Sequence, residues 1–168
     1  RLGAENDGWT VAKYLLEFER GGGSSAGLEA GVARIRAMAA RDGLLADAGG
    51  FARELAAAEI GLEAIKITEQ RVSAALSSGA NPGPAASMLK VQRTEMMQRI
   101  DTLGIEAGGA YAGVDQIEAR QPGSNIAPVG PTDRLTLMPR YLNNRAGSIY
   151  GGSNEVQRNI MAKLVLGL

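Results

Sequence analysis

Between Phe51 and Leu76 the chain carries a stripe with alternating steps of four and three: Phe51, Leu55, Ala58, Leu62, Ile65, Glu69, Val72 and Leu76. Positions three and four apart share one helix face, so this spacing predicts the seam of a packed helix. Gly79 to Pro84 supplies turn chemistry that ends this helix and opens the next, where Leu89, Met96, Ile100, Leu103, Ala107 and Ala110 continue a similar stripe. Two long helices with so short a connection are expected to lie antiparallel. Upstream, Thr10, Lys13, Glu17 and Arg20 gather in one narrow sector of a helical wheel, while Trp9, Val11, Ala12, Leu15, Leu16 and Phe18 fill the rest. That pattern predicts a largely buried helix from Gly8 or Trp9 to Arg20. Glycine weakens a helix interior, so Gly21 to Ser25 should bend or loosen it before a second helical piece from Ala26 to Arg41. Residues 42–50 read as turn.

Residues 115–138 read as irregular, with Pro122, Pro128 and Pro131 opposing a regular helix. Pro139 suits the first turn of a short helix through Gly147, where its missing N–H is harmless. Gly151 and Gly152 turn the chain, Ser153 is a natural N-cap, and Glu155 falls in the first turn, where the helix dipole favours an anion. A last helix is expected to reach about Leu166. The predicted fold is all-α, an up-and-down four-helix bundle with an additional short C-terminal helix.

Composition removes several kinds of chemistry. The 168 residues carry 18 basic and 18 acidic side chains with no long run of one sign, which argues against a nucleic-acid footprint or a polybasic membrane patch. No cysteine and no histidine occur. Thiolate nucleophiles, His-based triads and metal sites built on Cys or His are excluded by inventory, and no metal is expected. No stretch of about 18 apolar residues suggests a membrane span, so a soluble, cytoplasmic protein is expected. The polar opening from Arg1 to Gly8 reads as the tail of a preceding strand and loop, in a fragment of a longer chain.

Two features invite a chemical reading. Glu19 lies in the apolar arc of the first helix, and an acid in apolar surroundings gains the raised pKa that a base near neutral pH needs. The plainer reading of the pattern pairs it with a cation of another helix, such as an arginine; Glu69 also falls on an apolar seam with no chemistry suggested for it. The stretch from Ile149 to Gln157 brings backbone N–H groups to a helix start, which suits an oxyanion or a polar cofactor atom. As a bare pattern it is also an ordinary connection between helices.

The stretch from Tyr141 to Lys163, with Ile149-Tyr-Gly-Gly-Ser-Asn-Glu-Val-Gln157 at its heart, resembles the C-terminal signature of acyl-CoA dehydrogenases. The opening Gly3-Ala-Glu-Asn-Asp-Gly-Trp9, followed by Phe18-Glu-Arg20, resembles a second, moderately specific signature of that family. The two lie at opposite ends of the chain in the family's order, with a diverged middle. The resemblance implies the C-terminal helical bundle of a flavoprotein that oxidises an acyl-CoA thioester to its trans-2-enoyl form. Residues 1–8 would then lead from a β domain and residues 9–168 would form the bundle. It implies FAD as cofactor, an acyl-CoA substrate, electron-transferring flavoprotein as acceptor, and a homo- or hetero-oligomer, a dimer or a dimer of dimers.

Many members place the catalytic glutamate directly after the motif tyrosine, where this chain has Gly151; others take it from the early helix, directly before an arginine. Glu19-Arg20 is similar to the second arrangement, which implies Glu19 as base, a Gly151 N–H donating to the thioester carbonyl, and Arg20 and Tyr150 on the substrate side. Ser153 and Glu155 would contact FAD. Of the family's Arg-x-x-Phe-Gly segment only Arg41 could correspond, reaching the FAD of a neighbouring subunit, and the later Gln-x-x-Gly-Gly element is reduced to Ile105-Glu-Ala-Gly-Gly109. Such losses also fit a flavin-free, non-catalytic structural subunit of a heteromeric enzyme. The isolated stretch is expected to be inactive.

Overall fold

A computed structural model describes residues 3–21, 25–46 and 49–168, with the side chains of 17–21 outside the description. Among the described residues six α-helices follow one another: α1 Gly8–Gly21, α2 Ala26–Arg41, α3 Gly50–Ser77, α4 Pro84–Gly108, α5 Leu137–Asn143 and α6 Asn154–Met161. Short 3₁₀ turns occupy Gly109–Gly113, Thr132–Arg134 and Asn144–Ser148, and Ala162–Leu166 is π-helical. Among the described residues there is no strand. The all-helical expectation holds.

Two of the stops have one physical cause. At the end of α2, Gly43 adopts φ +77°; the Leu44 N–H reaches the Ala39 carbonyl at 2.9 Å and the Gly43 N–H reaches Ala40 at 3.4 Å. At the end of α3, Gly79 adopts φ +79°; the Ala80 N–H reaches Ala75 at 2.9 Å and the Gly79 N–H reaches Leu76 at 3.0 Å. Both pairs are the Schellman arrangement, in which a left-handed residue folds the chain back onto the last free carbonyls. Glycine adopts that conformation without the Cβ penalty. Asn81 then accepts the Gly83 N–H at 2.7 Å, and Pro84 opens α4 at the first helical position.

The chain forms two compact units. The first comprises Arg1–Ala26, Glu63–Glu95 and Ser148–Leu168. In it α3 and α4 contribute Ile65, Val72, Ala86, Leu89 and Val91 to a buried core. Arg93 of α4 faces Glu69 of α3 at 3.7 Å across the antiparallel pair, and Glu69 also accepts the Ser25 N–H at 2.9 Å, just ahead of α2. The seam carboxylate Glu69 thus serves packing: it meets a cation and an otherwise free N–H at a helix start. Burial, opposed by Glu69, lowers the pKa of the Arg93 guanidinium.

The second unit comprises Gly27–Leu62 and Met96–Gly147. Its core joins Ile35 and Met38 of α2, Leu55, Ala58 and Leu62 of α3, and Ile100 and Leu103 of α4. Leu137 of α5 packs so closely on α4 that a Cβ on Gly108 would stand 2.6 Å from its Cδ1. In the irregular stretch, Gln116 fastens the loop by accepting the Val129 N–H at 2.7 Å and donating to the Val129 carbonyl at 3.0 Å. Arg134 is buried and paired with Asp42, which ties the proline-rich stretch to the connection after α2.

Three expectations fail. Helix α1 is not largely buried: Trp9, Tyr14 and Leu15 are 70%, 65% and 55% exposed, so its apolar arc includes surface that this chain alone leaves uncovered. Ala110 leaves the α4 stripe and is exposed, because Gly109 at φ +57° ends the α-helix one residue earlier. The predicted helix from Pro139 to Gly147 is divided, α-helical to Asn143 and 3₁₀ beyond.

Candidate functional site

The terminal motif lies in the first unit. Tyr150 is exposed, and Gly151 and Gly152 turn the chain at φ +68° and +89°. A Cβ built on Gly151 would meet nothing within 4 Å, so open space stands over the turn. Ser153 caps α6 as its sequence position predicts: its backbone is extended, and its hydroxyl accepts the Val156 N–H at 3.4 Å.

Glu155 is solvent-facing and its carboxylate is held below the usual range, first by its own backbone N–H and then by the Ser153 hydroxyl. Ionisation is favoured because both groups donate to the charged form. The linkage has a definite sign: the depressed folded pKa adds stability above the unfolded carboxylate value, and that contribution fades as pH falls through the folded one. A carbon-detected NMR titration is therefore expected to place the Glu155 midpoint below that of an ordinary glutamate side chain. Ser153→Ala should move it upward, and an unmoved midpoint would remove the hydroxyl from this account.

Residues that the sequence reading passed over hold this segment in place. Asn154 is 3% exposed and its Oδ1 accepts from Lys90 Nζ at 2.8 Å and from Thr94 Oγ1 at 3.2 Å. The anchor therefore runs from α4 to the first residue of α6. Gln157 is fully buried, and among the described residues neither end of its amide has a hydrogen-bond partner. Asn154 and Gln157 stand three apart, on one helix face; a polar pair at that spacing in a helix packed against others is the signal that could have marked them.

Glu19 and Arg20 fall in the last turn of α1, and their side chains lie outside the described residues. Arg41 ends α2 in the second unit, 2.8 Å from Asp133 and 3.2 Å from Asp42, so two carboxylates already offset its charge. Tyr150, Gly151, Ser153 and Glu155 are brought together at one helix start. Among the described residues no group of His, Cys, Asp and Glu could hold a metal ion, and no helix is long and apolar enough to cross a membrane.

Residues 6–166 match the family described as acyl-CoA dehydrogenase, C-terminal domain. The chain belongs to the acyl-CoA dehydrogenase family. It is 32% identical over 177 residues to acyl-CoA dehydrogenase IpdE1 of Mycobacterium tuberculosis, covering 99% of this chain and 40% of that protein. A chain of the ChsE4-ChsE5 complex from Mycobacterium tuberculosis superposes with a TM-score of 0.71 at 29% identity, covering 99% of this chain and 41% of that one. The Tcur3481-Tcur3483 steroid ACAD superposes at 0.64 with 25% identity, covering 84% of this chain and 34% of that one. The chain thus spans about two fifths of the length of the curated relative.

Proposed function

We propose that residues 9–168 are the C-terminal helical domain of a cytoplasmic, FAD-dependent acyl-CoA dehydrogenase, with residues 1–8 leading in from a preceding β domain. The observation that carries this is the terminal turn: an exposed Tyr150, an open positive-φ Gly151 and a capped α6 follow one another in the family's order. FAD, when bound, would supply the two-electron acceptor for the β hydrogen of the acyl chain. The remaining work falls to this chain. Glu19 accepts the α proton, the Gly151 N–H donates to the thioester carbonyl as negative charge develops on its oxygen, and Tyr150 and Arg20 border the acyl-CoA.

The fit to FAD can be judged from the charges. Ionised Glu155 accepts hydrogen bonds and repels phosphate, so it suits a hydroxyl or amide of the cofactor, with Ser153 beside it. Arg41 would bring to the FAD of a neighbouring subunit a charge already shared with Asp42 and Asp133. That engagement favours a second reading, a flavin-free structural subunit of a heteromeric enzyme. The two-component names of two relatives support a hetero-oligomer, and one of those names makes steroid-derived acyl-CoA the first substrate to try. Electrons would pass to an electron-transferring flavoprotein. Purified full-length protein, alone and with its partner subunit, decides between the readings: the enzyme reading expects a yellow preparation with flavin absorbance. A colourless one that takes up no added FAD would contradict it and support the structural reading.

A further inference from the structure

Behind its buried seam, helix α3 carries a second row. Ala57, Ile60, Ala64, Ile67, Arg71 and Ala74 repeat in steps of three and four, the spacing that keeps residues on one helix face, and all are exposed. Ile60 and Ile67 are 73% and 55% exposed. Single apolar side chains on a surface are ordinary, and the outer face of a helix is ordinarily polar. Here isoleucine alternates with alanine at the period of a packed seam, so α3 presents a helix-pairing face that its own fold leaves open. Alanines on such a face let a second helix axis approach to about 8 Å.

The charges indicate which partner fits. Glu63 and Arg71 lie four positions before and four after Ile67, which sets them about 6 Å to either side of it along the axis and about 40° to either side around it. Among the described residues no hydrogen bond or ion pair reaches Arg71. The Glu63 side chain is 67% exposed; its Oε1 meets Lys66 at 2.9 Å, and a carboxylate keeps further acceptor positions beyond one such contact. A two-fold axis beside Ile67 brings an identical helix alongside in the opposite direction, so each Glu63 stands level with Arg71 of the other copy. Ile67 then meets its own counterpart, and Ile60 meets Ala74. Centring the pair between Glu63 and Ala64 would match Ile60 with Ile67 but leave Arg71 against Ala56, so charge selects the first register. Self-complementarity of this kind belongs to an isologous contact, in which one patch serves both copies.

We propose that this face of α3 docks antiparallel on the same face of a second copy of the chain, centred on Ile67, with Glu63 of each copy paired to Arg71 of the other. The contact is independent of the acyl-CoA chemistry proposed above, and its readout is the assembly rather than the flavin. In light scattering of the full-length protein, Ile67→Glu should halve the assembly mass. Glu63→Arg alone and Arg71→Glu alone should each lower it, because like charges then face one another, while the two exchanges combined should regain the parental mass. Ile67→Cys gives a second reading, since position 67 sits beside the axis and mild oxidation should link copy to copy. The 168 residues contain no cysteine, so a link that the parent lacks is traceable to that position. A parental mass for Ile67→Glu, a double exchange no heavier than the single ones, or an Ile67→Cys variant that links to a different subunit or to nothing would overturn the proposal.

Discussion

Glu19→Gln in the full-length enzyme is expected to slow reduction of its flavin by acyl-CoA by about 10² to 10⁴, the usual worth of a general base. The amide keeps the shape and removes the proton acceptor, so FAD and acyl-CoA should still bind. The expectation combines the apolar arc that carries Glu19 with the absence of a side chain at Gly151, where other family members place their glutamate. Gly151 has the room for a test of that exchange, because nothing stands within 4 Å of a Cβ built there. Its φ of +68° sets a strain cost on any side chain. Gly151→Glu added to Glu19→Gln should therefore restore part of the rate. Stopped-flow reduction of Glu19→Gln at the parental rate would return Glu19 to a carboxylate paired for packing.

The second large effect is expected at Asn154. Truncation to alanine takes the Oδ1 acceptor from the nearly buried Lys90 ammonium and from Thr94. A hydrogen bond to a charged group is worth about 1.5–3 kcal/mol, a large share of a typical domain's 5–15 kcal/mol. The loss should also loosen the start of α6, and with it the Gly151 turn. Asn154→Asp keeps the acceptor and adds a charge opposite to that of Lys90, so at neutral pH it should retain far more stability than Asn154→Ala. Urea unfolding of the three proteins measures this; an alanine variant within about 0.5 kcal/mol of the parent would show that the anchor carries little.

How much of this was legible in the sequence depended on whether the cause was local. The α3 seam was, because burial of one helix face imposes a period on a single chain, and Leu55, Ala58, Leu62, Ile65 and Val72 are all buried. The Ser153 cap was legible for the same reason, since donor and acceptor lie three residues apart. Helix α1 was misjudged because an apolar arc announces that something should cover it, without saying whether the cover belongs to the same chain; Trp9 and Tyr14 stay exposed. Lys90 and Asn154 are 64 residues apart, and Arg134 and Asp42 are 92 apart. No periodicity links such partners. Glu69 was a seam position of unknown purpose until Ser25 and Arg93 were found against it.

The central claim is that this helical domain serves the α,β-dehydrogenation of an acyl-CoA. Its most direct test is anaerobic mixing of the full-length, flavin-loaded protein and its partner subunit with an acyl-CoA thioester, a steroid-derived one first, followed by mass spectrometry of the thioester. The account predicts that the flavin bleaches as a product two hydrogens lighter forms, in equal amount. A flavin that stays oxidised across short, long and steroid-derived acyl-CoA, with no enoyl product, would contradict it.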